Sequence, residues 1–143
     1  MANFLYNITA LTNNYNRVIL KVDDLKYDPM VAFFSQVSAS LYPDLIKGAI
    51  EGYGIGLNVA GVTFPGDYEE WEEGIPENMV EFGLFEEEVL VPRMDYLEIL
   101  LAAAKEMLAM QLEHDNPSDK WVNDMKESIR RLETYIANPD FTP

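Results

Sequence analysis

The sequence predicts an α+β protein with helices at both ends and a small antiparallel β-sheet in the middle. Apolar residues recur every three or four positions between residues 28 and 51 and between residues 93 and 137, which is typical of amphipathic helices. Short β-branched and aromatic runs between residues 59 and 91 predict paired strands. The length of 143 residues and the 48% hydrophobic content fit a single domain over residues 1–143.

The first helix follows a region with few structural signals. Arg17–Val22 is rich in β-branched residues and stops at two aspartates, so it predicts a strand. Asp28 followed by Pro29 predicts a helix start, with the aspartate as cap and the proline in the first turn. The apolar residues that continue this helix at helical spacing are Val31, Phe34, Val37 and Leu41.

A second helix and a glycine-rich turn come next. Pro43–Glu51 predicts a short helix that ends at Gly52, where a left-handed cap is usual. The GYGIG stretch at 52–56 predicts a tight turn into a strand. A phosphate-binding loop is disfavoured, because no Lys-Ser or Lys-Thr pair follows and the surroundings are acidic. Val59–Phe64 then predicts a strand.

A hairpin and two helices complete the chain. Met79–Phe85 and Val89–Val91 predict paired strands that flank a turn at Glu86–Glu88, and Pro92 stops the sheet. Arg93–His114 predicts the central helix, and Ser118–Ala137 predicts the last one. The apolar face of the central helix comprises Leu97, Leu101, Ala104 and Leu108, widened by Tyr96, Leu100, Met107 and Met110. The stripe on the last helix comprises Trp121, Met125, Ile129, Leu132 and Ile136.

Most of the net charge of −15 lies in less than a third of the chain. The segment 48–92 has no Lys or Arg and eleven acidic residues, namely Glu51, Asp67, Glu69, Glu70, Glu72, Glu73, Glu77, Glu81, Glu86, Glu87 and Glu88. Such a charge repels phosphate, so we expect neither nucleic-acid binding nor attraction to an anionic membrane. A basic protein partner fits the charge better.

Aromatic side chains are interleaved with the carboxylates of residues 67–77. Tyr68 and Trp71 lie among five acidic neighbours, which is typical of a binding hot spot for a basic protein surface. The alternative is a solvated face that only keeps the protein soluble. We expect Trp71 to be at least partly exposed in the free protein. The candidate binding residues are Asp67, Tyr68, Glu69, Glu70, Trp71, Glu72, Glu73 and Glu77.

Residues suited to catalysis or to a cofactor are few. Without cysteine there is no thiolate metal site, and the single histidine, His114, lies at a predicted helix end where a cation is favourable. Calcium or magnesium binding is an alternative use of the carboxylates, although residues 67–77 lack the regular spacing of a calcium loop. Twenty-five acidic residues always include some carboxylate pair, so glycosidase chemistry gains no support. We expect no enzymatic activity and no cofactor.

Neither a signal peptide nor a membrane span is predicted. The first twelve residues lack a basic start and a sustained apolar run, and Ile99–Leu112 is interrupted by Lys105, Glu106 and Gln111. We therefore expect a soluble, cytoplasmic protein.

Three motifs in this order resemble the CdiI immunity proteins, which are paired with the ribonuclease toxins of bacterial contact-dependent growth inhibition. They are GYGIG at 52–56, GVTFP at 61–65 and EEEVLV at 86–91. The resemblance also places a helix before the first motif, an acidic loop at Asp67–Glu77, and two helices after the third. It covers about three quarters of the chain, and residues 1–27 lie outside it as an N-terminal extension. Leu57–Ala60 is apolar where the family is acidic.

The resemblance implies an immunity protein that binds the C-terminal domain of a cognate basic toxin, a ribonuclease, and covers its active site. The acidic loop would then take the place of RNA phosphates. Two other functions stay open at this point: an acidic adaptor or chaperone for another basic protein, and a carboxylate metal-binding domain.

Overall fold

The predicted α+β class is confirmed by the computed structural model, which describes residues 6–11, 17–114 and 116–139. Helices lie on both sides of the central sheet in sequence, and an additional strand pair precedes the first helix. The elements in these ranges are β1 (Tyr6–Leu11), β2 (Arg17–Val22), α1 (Asp28–Ser35), α2 (Tyr42–Glu51), β3 (Ile55–Gly56), β4 (Ala60–Thr63), β5 (Met79–Leu84), β6 (Glu87–Pro92), α3 (Arg93–His114) and α4 (Asp119–Ala137).

The central sheet is antiparallel with the strand order β3-β4-β5-β6. Val62 of β4 lies opposite Phe82 of β5, and Val80 of β5 lies opposite Val91 of β6. These four side chains are buried, and α1 packs on the two middle strands. The strand predicted at Arg17–Val22 is confirmed, but it pairs with β1 in a separate two-stranded sheet.

The β5–β6 hairpin turns earlier than the sequence predicts. Leu84 pairs with Glu87, so the turn consists of Phe85 and Glu86 alone, while Glu87 and Glu88 belong to β6. The prediction of a turn at the three glutamates is therefore wrong. The buried side chains fix the register of a half-buried sheet. Once Phe82 pairs with Val89, Gly83 pairs with Glu88 and Leu84 with Glu87, which leaves only two residues for the turn.

The first helix differs from its prediction at both ends. A 3₁₀ turn at Leu25–Tyr27 runs directly into α1, so Asp28 already has helical backbone angles and is not the cap. Asp24 caps that turn by accepting a hydrogen bond from the Lys26 N–H at 3.0 Å. The helix ends at Ser35, and a separate 3₁₀ turn at Ala39–Leu41 follows it. From the predicted stripe Phe34 and Val37 are buried, whereas Val31 and Leu41 are only half-buried.

The other helices match their predictions closely. The left-handed cap at Gly52 is confirmed by its φ of 90°, and its N–H donates to the Gly48 carbonyl at 2.8 Å. The bounds of α3 are those predicted, and Ser118 caps α4 by accepting from the Trp121 N–H at 3.2 Å. Trp121 is half-buried and its indole N–H donates to the Ala39 carbonyl at 2.8 Å. The buried residues of α4 are Met125, Ile129 and Leu132, as the predicted stripe requires.

Aromatic rings join these layers around Tyr96 of α3. Its ring centroid lies 5.3 Å from that of Phe82, 5.9 Å from that of Phe64 and 6.2 Å from that of Phe34. These separations are the favourable range for aromatic pairs, and they connect α3 with the sheet and with α1. The hydroxyls of Tyr96 and Tyr42 are buried without a hydrogen-bond partner among the described residues. Burial raises the pKa of both phenols.

We predict opposite effects for two substitutions of Tyr96. Tyr96→Phe keeps the ring and removes a buried hydroxyl for which the described residues offer no partner, so stability should hold or rise by about 1 kcal/mol. Tyr96→Ala removes the ring and should lower the free energy of unfolding by about 3–5 kcal/mol. Urea denaturation measures both values. A loss of more than about 1 kcal/mol in Tyr96→Phe would show that the hydroxyl has a partner, such as an internal water.

Candidate protein-binding surface

The acidic loop, residues 67–77, connects β4 to β5 and is fixed at its start by one carboxylate. Asp67 Oδ2 accepts hydrogen bonds from the backbone N–H of Phe64 at 2.8 Å and from that of Gly54 at 2.9 Å. One side chain therefore joins the acidic loop to the glycine-rich turn. Asp67, a predicted binding residue, thus has a structural role in the free protein.

Gly54 has no room for a side chain at this junction. A Cβ atom there would lie 1.9 Å from the carbonyl oxygen of Val62 and 3.0 Å from Asp67 Oδ2. The tight turn predicted from GYGIG, leading into a strand at β3, is confirmed. The Gly54 N–H already donates to the Asp67 carboxylate, so it is not available to bind a phosphate.

Tyr68 anchors the loop on the outer face of the sheet. It is half-buried, and its hydroxyl donates to Glu81 Oε1 at 3.2 Å. The chain returns to it at Gly74, where an added Cβ would lie 3.6 Å from the Tyr68 ring. The loop is therefore folded back over Tyr68.

The other candidate residues face solvent. Trp71 is 82% exposed, which confirms the expected exposure. The loop between the anchors is held by internal bonds, from the Glu69 N–H to Glu72 Oε1 at 2.9 Å and from the Glu72 N–H to the Glu69 carbonyl at 3.0 Å. The exposed carboxylates around Trp71 are Glu69, Glu70, Glu72, Glu73 and Glu77. The structure thus presents a large aromatic side chain among carboxylates on a loop of defined shape.

Two further acids, outside the predicted site, join this surface from the hairpin. Glu88 lies opposite Gly83 and Glu81 opposite Leu90, so both carboxylates stand on the outer face of the sheet. Burial and then the charge of Glu88 raise the pKa of Glu81. The pKa of Tyr68 is raised by burial, by Glu81, and by the charges of Glu88 and Glu72. The acids of the loop and those of the hairpin therefore form one continuous surface. The strand pattern could have revealed this, because Glu81 and Glu88 alternate with apolar residues that face the core.

Three basic side chains of the last two helices form ion pairs. Lys105 lies 2.9 Å from Glu133, Lys120 lies 2.8 Å from Asp124, and Arg130 pairs with Glu127. Those pairs neutralise three acids on α4. None of these ion pairs involves an acid of the 48–92 segment, which itself contains no Lys or Arg.

The described residues offer little for other site types. Among them no group of three or more His, Asp or Glu residues could hold a metal ion. His114 is exposed at the end of α3, with its Nε2 3.7 Å from the Glu113 carboxylate. No helix in the described ranges is both long and apolar enough to cross a membrane.

Comparison of the chain with protein-family models, with curated proteins and with solved structures finds no match to any of them. The resemblance to the CdiI immunity proteins therefore rests on the sequence motifs alone.

We predict that Asp67 matters for folding and that its exposed neighbours do not. Asp67→Ala leaves two backbone N–H groups without their acceptor, so the free energy of unfolding should fall by about 1–3 kcal/mol. Glu73→Ala, in the same loop, should change it by less than about 0.5 kcal/mol. Chemical denaturation of both variants tests this, and equal stabilities would contradict a structural role for Asp67.

Glu81 should make stability depend on pH. Because its pKa is raised in the folded protein, the folded state binds this proton more tightly than the unfolded chain does. The stability that this tighter proton binding contributes is therefore lost as the pH rises from the usual pKa of 4.5 through the raised pKa of the folded state. Glu81→Gln should gain stability over wild type near pH 7, and the gain should shrink towards pH 4.

The control for this experiment is Glu106→Gln, a change of the same chemistry at an exposed position of α3. The difference in free energy of unfolding between Glu106→Gln and wild type should not change with pH. Urea denaturation at both pH values measures the differences. An advantage of Glu81→Gln that is equal at both would show that burial and Glu88 do not disfavour the charged form.

Proposed function

We propose that this chain is an immunity protein that binds the C-terminal domain of a cognate basic ribonuclease toxin from a contact-dependent growth inhibition system and covers its active site. The observation that carries the proposal is Trp71, 82% exposed on a folded loop and surrounded by carboxylates. Inhibition by occlusion needs affinity and shape but no catalytic group. The motifs at 52–56, 61–65 and 86–91 support the same family.

The exposed tryptophan supplies the affinity in this proposal. Hot spots of protein interfaces are enriched in tryptophan, tyrosine and arginine, and they lie in a desolvated centre surrounded by polar contacts. Trp71 is exposed in the free protein, with Glu70 and Glu72 on either side of it in the chain, and it would occupy such a centre once the partner covers it. Tyr68 and Asp67 hold the loop in shape, which lowers the entropy lost on binding.

The local excess of negative charge supplies the specificity in this proposal. A ribonuclease binds RNA through a positive groove, and the carboxylates of residues 67–77 can occupy the positions of the phosphates. Long-range attraction also accelerates the encounter, with association rates of up to ~10⁸–10⁹ M⁻¹s⁻¹ at low salt. Rapid capture suits a protein that must neutralise a toxin as it enters the cell.

The experiment uses a variant in which Glu69, Glu70, Glu72 and Glu73 are all changed to Gln. The change keeps the size of the side chains, and the Gln at position 72 still offers an oxygen to the Glu69 N–H. The proposal expects a gene for a large secreted toxin directly upstream of this chain's gene, and the partner in the experiment is the purified C-terminal domain of that toxin. Association at low salt should slow by roughly tenfold or more, and its dependence on ionic strength should flatten.

A matched control removes four charges from exposed positions outside the acidic segment. Its changes are Asp23→Asn, Glu106→Gln, Glu113→Gln and Glu133→Gln. Because it has the same net charge as the loop variant, it separates the local effect from the overall one, and it should associate nearly as fast as wild type. Failure of wild type to bind the upstream domain, or equal slowing of both variants, would refute the proposed function of the loop.

A further inference from the structure

The tip of the β5–β6 hairpin holds a phenylalanine in an unfavourable backbone conformation. Phe85 is the first of the two turn residues and has a φ of 55°. Turns of this length favour Asn, Asp or Gly at positive φ, because a Cβ atom is crowded by its own backbone there. In the described part of the chain, Asn116 is the other non-glycine residue with positive φ. A bulky aromatic residue at such a position is a marked exception to the usual turn chemistry.

The side chain of Phe85 is also exposed to water. It is 81% exposed and belongs neither to the buried core nor to the apolar side chains packed against it. Within the described residues, its ring is part of no aromatic pair. Neither the strained backbone nor the exposed ring is therefore compensated by packing in the described part of the fold.

The surroundings of Phe85 combine apolar surface with negative charge. Ala60 lies opposite Leu84, so the turn between β3 and β4 is at the same end of the sheet as the hairpin tip. Val59 in that turn is 41% exposed. On the other side Glu86 and Glu87 are exposed directly beside the phenylalanine. Phe85 is thus an apolar projection bordered by carboxylates.

We propose that Phe85 is a second anchor for the same basic partner, inserted into an apolar pocket whose rim carries Lys or Arg side chains. The inference rests on the proposed function, since it takes the partner of the acidic loop as its own. Strain in a backbone is a common property of ligand-contact sites. Glu86 and Glu87 match a basic rim in charge. Through Glu88, the tip is continuous with the acids around Tyr68.

Two substitutions distinguish the effect of the Phe85 ring from the effect of its strained backbone. Phe85→Gly removes both, so the free protein should melt about 2–6 °C higher than wild type. Phe85→Ala removes the ring but keeps a Cβ atom at positive φ, so its melting temperature should lie close to that of wild type. Both should bind the upstream-encoded domain roughly 10- to 100-fold more weakly. Leu25→Ala is the matched control, because Leu25 is 75% exposed and lies outside the acidic segment; its affinity should equal that of wild type.

Trp71→Ala, measured alongside, distinguishes this inference from the proposed function. If Trp71→Ala binds weakly while both Phe85 variants bind like wild type, the second anchor is refuted and the proposed function stands. If wild type does not bind the upstream domain, both are refuted. A lower melting temperature in Phe85→Gly would show that the residue serves the fold, and it would also overturn the inference.

Discussion

The packing of Tyr96 against three phenylalanines is the contact on which the rest of the structure depends. It fixes α3 against the inner face of the sheet, and it holds β4 and β5, the two strands that carry the ends of the acidic loop. Arg93, three residues earlier on the same helix, extends this contact. Its guanidinium lies 5.2 Å from the centre of the Phe64 ring, and it donates to the Ala49 carbonyl of α2 at 3.5 Å. A loop rich in repelling charges is thus attached to a buried cluster of aromatic rings.

Charge and apolar packing are separated between the two faces of the sheet. The inner face consists of uncharged side chains such as Val62, Val80 and Phe82, while the outer face carries Glu81 and Glu88. Burial and then the charge of Glu88 raise the pKa of Glu81, so the charged carboxylate opposes folding on this face. The protein still folds because the apolar side chains on the other face are extensively buried. A cationic partner would relieve the repulsion, so binding of such a partner would also raise folding stability.

Elements whose ends are marked by local chemistry can be predicted from the sequence with nearly correct bounds. Gly52 ends α2, Pro92 precedes α3 and Ser118 caps α4, and each of these signals lies within one turn of the boundary it sets. Positions set by distant partners cannot be predicted in this way. The turn at Phe85 follows from the pairing of β5 with β6, and β1 becomes a strand through its pairing with β2.

The candidate surface also has some features that the local sequence predicts and others that depend on distant partners. The exposure of Trp71 follows from a local excess of carboxylates, which cannot be buried without partners. The structural role of Asp67 does not follow from the sequence, because its second bond goes to Gly54, thirteen residues earlier. The contact of Tyr68 with Glu81 also joins residues thirteen positions apart, so the local sequence pattern does not predict it either.

The way the acidic loop is attached has a consequence for how such a protein can evolve. The loop is held at its start by Asp67 and Tyr68 and at its end by the bond from the Arg93 N–H to the Asn78 carbonyl. Most of the residues between these points are exposed, so we expect substitutions there to change the surface with little effect on the scaffold. Under the proposed function, recognition could therefore diverge as the partner changes, while selection for stability would act on the attachment points and the aromatic core.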